Sequence, residues 1–168
     1  YEKIEKVINY LNECFENKNK LLVCGNGGSA ADAEHFVAEL VCRFYKMRKG
    51  LPAISLTANS SLTTAISNDL DYENIFSRQV ESLGKKNDIL MCISTSGKSK
   101  NVLKAINIAK KIGIKTIAFT GLGGSPLELV SDLTINVNSN DVPRIQELHI
   151  IALHYIALEV EKFISKKA

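Results

Sequence analysis

Five short apolar runs, Lys20–Cys24, Pro52–Leu56, Asp88–Ile93, Lys115–Phe119 and Leu133–Val137, recur along the chain with helical patterns between them. That alternation most narrows what the chain can fold into. Each run has ordinary strand length and lacks strict polar alternation, as strands covered on both faces do. Between them, helical patterns span Ala30–Tyr45, Ser60–Ser67, Glu73–Leu83 and Ser99–Ile112, with a short turn near Leu127–Val130. A helix over Glu2–Asn17 precedes the first run, and one over Pro143–Ser165 follows the last. In the final helix Ile145, Leu148, Ile151, Ala152, Tyr155 and Ile156 follow a period of about 3.6. Right-handed strand–helix–strand connections then predict an α/β fold: a three-layer α-β-α sandwich whose five-stranded parallel sheet is flanked by N- and C-terminal helices. No internal repeat or linker divides the chain, so residues 1–168 read as a single domain.

The composition suits that reading. With 168 residues and 45% hydrophobic side chains, a sizeable core can be buried. The net charge of +3 is too small to argue for nucleic acid, and the basic stretch from Lys98 to Lys115 reads as the wet face of a helix. Cys14, Cys24, Cys42 and Cys92 form no CxxC pair. They read as free thiols of a reducing, cytoplasmic compartment. The sequence shows no secretory signal pattern and no apolar stretch of membrane-spanning length, so no membrane partner is expected. The chain opens at Tyr1 rather than Met, which leaves room for a few residues before it.

Ligands of such sheets bind beyond the carboxyl ends of the strands. The segments there, 25–29, 57–61, 94–99, 120–125 and 138–141, are all rich in Gly, Ser, Thr and Asn, which suits a small oxygen-rich ligand. Gly25-Asn26-Gly27-Gly28-Ser29 leaves a strand and opens a helix, where free N–H groups favour an anion. A dinucleotide fingerprint would need glycine where Ala30 stands, and no GK[ST] closes a Walker loop. A plain tight turn remains the alternative. Ser94-Thr95-Ser96-Gly97-Lys98-Ser99 also follows a strand and precedes a helix. One hydroxyl is enough to cap a helix; its four are better explained by a phosphate.

His35 and Glu39 are four residues apart and share one helix face, which Arg43 extends by another turn. Gln146 and His154 lie eight apart on the last helix, offset by about 80° around its axis. By spacing alone, His35 and Glu39 could be a solvated face and His154 a core histidine. His149 receives no role.

The stretches GNGGSAADAEHFVAEL, LPAISL, AISNDLDYENIFSRQV, ISTSGKSKNV and RIQELHIIALH together resemble the sugar isomerase (SIS) phosphosugar-binding family, and within it the bacterial phosphoheptose isomerases. STSGKS alone marks only a phosphosugar domain; HFVAEL with IQELH is more specific. The resemblance implies substrate and phosphate contacts at Asn26, Gly27, Gly28, Ser29, Glu39, Arg43, Asn68, Asp69, Ser94, Thr95, Ser96, Ser99 and Gln146. It implies an acid/base pair of Glu39 and His154, and one zinc ion per subunit held by His35, Glu39, Gln146 and His154. It also implies a homotetramer with sites at subunit interfaces. The implied reaction converts D-sedoheptulose 7-phosphate to D-glycero-D-manno-heptose 7-phosphate through an enediol, an early step toward the heptose of lipopolysaccharide or capsule. The chemistry agrees: a carboxylate can act as base, an imidazole can shuttle the other proton, and a divalent ion can hold the oxygens. Two rivals are a noncatalytic phosphosugar-binding regulator of the replication-initiation type and an enzyme acting on another sugar phosphate. A binder needs the phosphate loops but not the acid/base pair.

Overall fold

The computed structural model describes residues 2–166. Five strands, β1 (Leu21–Gly25), β2 (Ala53–Ser55), β3 (Ile89–Ser94), β4 (Lys115–Thr120) and β5 (Leu133–Asn136), pair in parallel in the order β2-β1-β3-β4-β5. β1 and β3 are buried along their whole length, which explains their unbroken apolar sequence. Helices α1 (Glu2–Glu16), α2 (Gly28–Val41) and α7 (Val142–Ser165) cover one face. Helices α3 (Ser60–Asp69), α4 (Ser77–Leu83), α5 (Lys100–Ile112) and α6 (Pro126–Val130) cover the other. Period-two alternation sends Leu21 and Val23 into the first layer and Leu22 and Cys24 into the second. The expected three-layer sandwich is therefore the one observed. Phe36 and Phe119 are fully buried in the α1/α2/α7 layer, and each such burial contributes about 1.5–3 kcal/mol.

Strand order reverses between β1 and β3, because the chain crosses outward to β2 and then returns past β1. That switch point opens a crevice at the carboxyl ends of β1 and β3, from which the Gly25–Ser29 and Ser94–Ser99 segments emerge.

Several element ends differ from expectation. The helix read as Ala30–Tyr45 spans Gly28–Val41, so Arg43 lies beyond it and does not extend the His35/Glu39 face. Its cause is a tertiary cap: Glu161 of α7 accepts from the N–H groups of Phe44, Tyr45 and Lys46, which turns the chain away. The helix read as Glu73–Leu83 divides into a 3-10 turn, Tyr72–Asn74, and α4. Ser99 is the N-cap of α5 rather than its first residue. Cys14, Cys24 and Cys92 are buried free thiols, while Cys42 is exposed. Burial, with the Asp88 charge second, pushes the Cys14 thiol up to about 12. No helix of the described residues is long and apolar enough to cross a membrane.

Candidate active site

Two helices start at the crevice, and neither has a side-chain cap. α2 begins after Gly27, and α5 after Ser99, whose hydroxyl makes no capping bond among the described residues. Two other helices carry a side-chain cap, Asn59 accepting from Leu62 N at 3.0 Å and Ser125 from Glu128 N at 3.3 Å, while α4 and α7 start without one among the described residues. In the first turns Ser29 N and Ala30 N donate to Asn26 O and Gly27 O, and Val102 N donates to Asn101 Oδ1 at 2.9 Å, so what the two N-termini over the switch point offer an anion is mainly the partial positive charge of a helix start.

The β3–α5 loop is shaped for that role. Ser94 Oγ and Ser99 Oγ lie 3.2 Å apart, and Lys98 N donates to Ser96 Oγ at 3.2 Å. Gly97 has φ of 60°, and a Cβ there would overlap the Ser125 side chain, so only glycine allows this tight return. Thr95, Ser96 and Lys98 line a cleft of about 380 Å³ with Leu122–Ser125, Ser139 and Asn140 from the loops after β4 and β5. Four hydroxyl residues and a lysine at a helix start make a good phosphate cradle.

Across the switch point Asn26 is braced rather than free. It exchanges bonds with Asn101 at 2.8 and 3.0 Å and accepts from Tyr72 Oη at 2.9 Å. Asn101 is buried in the first turn of α5, so the two loops are tied together by this pair. Neither Asn101 nor Tyr72 was marked by sequence, because a lone Asn or Tyr carries no spacing signal. Ser29 is buried in the first turn of α2. Asn68 and Asp69 bond each other at 2.8 Å at the exposed end of α3. The side chain that reaches the glycine loop from that region is Tyr72.

α2 and α7 pack against each other and run the same way, so pairs recur down their seam. At its head a Cβ on Gly28 would overlap the Gln146 carboxamide; glycine is required for this approach. Two turns along, His35 meets His154: Nε2 to Nε2 is 3.4 Å and the rings meet edge-on at 4.9 Å. His35 Nε2 also lies 3.2 Å from Glu39 Oε1. The structure therefore brings His35, Glu39 and His154 together, and places Gln146 about 12 Å of helix rise before His154, beside the glycine loop. Arg43 is exposed, with Nη1 3.4 Å from Tyr45 O.

The donor set fits a divalent ion in kind. Two ligands of a tetrahedral zinc stand about 3.3 Å apart, which matches both contacts of His35 Nε2. Among the described residues, however, no group of three or more His, Cys, Asp or Glu side chains is placed to hold an ion.

Asp32, one turn before His35, has Oδ2 buried without a hydrogen-bond partner among the described residues. Burial raises its carboxyl above the usual aspartate value, against the pull of His35 and His154. His149 is a core residue: it is fully buried, its Nε2 lies 3.1 Å from Thr120 O, and burial lowers its pKa.

Comparison with known proteins agrees with this geometry. The SIS domain family matches residues 1–121. A phosphoheptose isomerase of Helicobacter pylori strain P12 is 49% identical over 166 residues, 99% of this chain and 86% of its own. The structure of phosphoheptose isomerase GmhA from Neisseria gonorrhoeae superposes with a TM-score of 0.91 at 38% identity, over 96% of this chain and 86% of its own. That of a phosphoheptose isomerase from Francisella tularensis does so with a TM-score of 0.93 at 36% identity and the same coverage.

Proposed function

The chain belongs to the SIS domain family, and from that premise we propose that it is a phosphoheptose isomerase converting D-sedoheptulose 7-phosphate to D-glycero-D-manno-heptose 7-phosphate. The observation that carries this reading is the meeting of His35, Glu39 and His154 beside two uncapped helix starts. A phosphosugar binder needs the helix starts; a ketose–aldose isomerase needs both.

In the reaction, the phosphate sits at Ser94–Ser99 and the sugar chain extends toward the α2/α7 seam. Glu39 takes a proton from C1, and the electron pair of that C–H bond forms the C1=C2 bond while the C2 carbonyl oxygen gains a proton from His154. Glu39 then gives its proton to C2 of the enediol while the C1 hydroxyl gives its own to His154, leaving the carbonyl at C1. No atom is gained or lost. Asn26 and Gln146 lie where they can hold sugar hydroxyls. Asn68 and Asp69 contact substrate from the end of α3.

A divalent ion, zinc by donor type, would be held by His35, Glu39 and His154 and would supply positive charge to the enediolate oxygens; Gln146, beside Gly28 and about 12 Å of helix rise before His154, stands apart from that group within one chain. A glutamate cannot be both a firm ligand and a free base, so metal analysis with activity before and after chelation decides that part. A homotetramer completes the reading. Its support is the exposed apolar surface of Leu148, Ile151 and Tyr155 on α7. The free thiols suit a cytoplasmic location. The heptose product would feed lipopolysaccharide or capsule precursors. Incubation with sedoheptulose 7-phosphate, with aldose formation followed by NMR, tests the whole. Absence of an aldose signal at micromolar enzyme would overturn it.

A further inference from the structure

Arg48 and Glu161 form an ion pair, Nε to Oε1 3.4 Å, with side chains only 3% and 2% exposed. A buried pair of this kind is poor evidence for stability, since apolar residues of the same volume often serve as well or better. Its bonds show what it holds. Glu161 accepts from three successive amides, Phe44 N at 2.9 Å, Tyr45 N at 2.8 Å and Lys46 N at 2.9 Å. Arg48 donates Nη2 to Glu39 O at 2.9 Å and Nη1 to Leu40 O at 2.8 Å. Phe44, on the turn so pinned, lays its ring 5.7 Å from the His154 imidazole, tilted by 42°. The chain of contacts therefore closes: the Glu39 backbone to Arg48, Arg48 to Glu161, Glu161 to the Phe44 turn, and Phe44 to His154. His154 and Glu161 are two turns apart on the same helix.

We infer that Arg48 and Glu161 are positioning residues whose paired contacts set the separation of the Glu39 carboxylate and the His154 imidazole. The inference rests on the acid/base reading above. The two groups must act on neighbouring carbons of one substrate, and a misplacement of about 1 Å can cost about a hundredfold in rate. Lysine at 48 would keep the charge but lose the planar fork that reaches the carbonyls of Glu39, Leu40 and Lys49 beside a carboxylate. Glutamine at 161 would turn one acceptor into a donor against the three amides.

The experiment uses full-length Arg48→Lys, Glu161→Gln and the double variant Arg48→Met/Glu161→Leu, which removes both charges together so that neither is left unpaired, and takes the acceptor away from the Phe44, Tyr45 and Lys46 amides. The His154 ring protons are followed by NMR in substrate-free protein, where the Phe44 ring shifts them; Phe44→Leu gives the unshifted reference. Folding is checked by thermal melting, and kcat, KM and the Kd for sedoheptulose 7-phosphate are measured. In all three variants the His154 signals should move toward the Phe44→Leu reference. The folded variants should lose about tenfold to a hundredfold in kcat, with KM and Kd changed by less than about threefold. If a single variant does not fold, the double variant decides. Native His154 shifts and full kcat in the folded double variant would make the pair a structural fastening only and overturn the inference. Unmoved His154 signals in every folded variant would overturn it regardless of turnover. If the unaltered protein does not isomerise the sugar phosphate but the His154 signals still move, the activity reading fails while the positioning contact stands.

Discussion

Asp88, at the amino end of β3, and Asp32, in α2 beyond the carboxyl end of β1, each bury a carboxylate oxygen, and their surroundings differ in kind. Asp88 accepts from Lys20 N at 3.0 Å and Lys85 N at 2.8 Å, and pairs with the Lys20 ammonium. Burial alone would raise its carboxyl; the Lys20 ammonium and the two amides outweigh burial and hold it below the usual aspartate value. Asp32 Oδ2 has no such partner among the described residues, and burial raises its carboxyl instead. Within the open end itself the helix starts differ: α3 and α6 carry side-chain caps, while α2 and α5 at the switch point do not. A closed end can satisfy every buried group from within the protein. An end that binds a ligand must leave donors and charges unsatisfied until the ligand arrives, and that is where stability is given up.

The largest effect expected at the open end is on turnover. Glu39→Gln keeps the shape of the side chain beside His35 and removes the base. Turnover should fall by about a hundredfold or more, with thermal stability nearly unchanged and sugar-phosphate binding retained. Near-normal kcat in this variant would erase the distinction between the two ends, since neither would then hold a reacting group.

The closed end should answer the opposite way. Asp88→Asn should cost about 2–3 kcal/mol of folding stability at pH 7, because the Lys20 ammonium loses its counter-charge and a carboxamide nitrogen then faces it and Lys85 N, while kcat in the surviving folded protein stays within about twofold. The pH sign follows from the lowered carboxyl. Its stabilisation is present at neutral pH and is lost as pH falls below the unfolded aspartate value of about 3.9 and through the lower folded value. Denaturant melts of both proteins at about pH 7 and about pH 3 measure it. A gap that does not narrow in acid means that Asp88 is not the group being titrated.

A smaller loss is expected in the phosphate loop. Ser96→Ala combined with Ser99→Ala removes two of the hydroxyls at the uncapped start of α5. Binding of sedoheptulose 7-phosphate should weaken by about tenfold by calorimetry, and weak binding of unphosphorylated sedoheptulose should barely change. Equal losses for both sugars would place the phosphate elsewhere.

The sheet and its open end were legible for physical reasons. Doubly buried strands must be apolar throughout, so Leu21–Gly25 and Ile89–Ser94 stand out, and the loops that follow them are marked by Gly and Ser. His35 and Glu39 were legible as a helical pair; that His154 would meet them followed only from family resemblance. The contacts made by distant residues were not legible. The end of α2 is set by Glu161, 117 residues beyond Phe44, so helical periodicity overran it to Tyr45 and carried Arg43 onto the wrong surface. Asn101 and Tyr72 brace Asn26 from other elements, and no local pattern announces either.

The smallest effect, and the sharpest test of the comparison, belongs to Asp32. Its raised carboxyl means that the folded protein favours the protonated form, so the ionised form costs stability at neutral pH and the cost is relieved as pH falls. This is the opposite sign to Asp88. Asp32→Asn cannot ionise, and the position is part-exposed, so stability at pH 7 should be unchanged or rise by at most about 1 kcal/mol. The difference from the unaltered protein should shrink as pH falls through the raised folded value toward the unfolded aspartate value of about 3.9. Turnover should fall, because the negative charge beside His35 and His154 is gone while the fold is not weakened. Matched melts at the two pH values decide it. A loss of more than about 1 kcal/mol on Asp32→Asn would mean that this carboxylate is fastened as Asp88 is, and the two ends of the sheet would then differ in what they bind but not in how their buried charges are held.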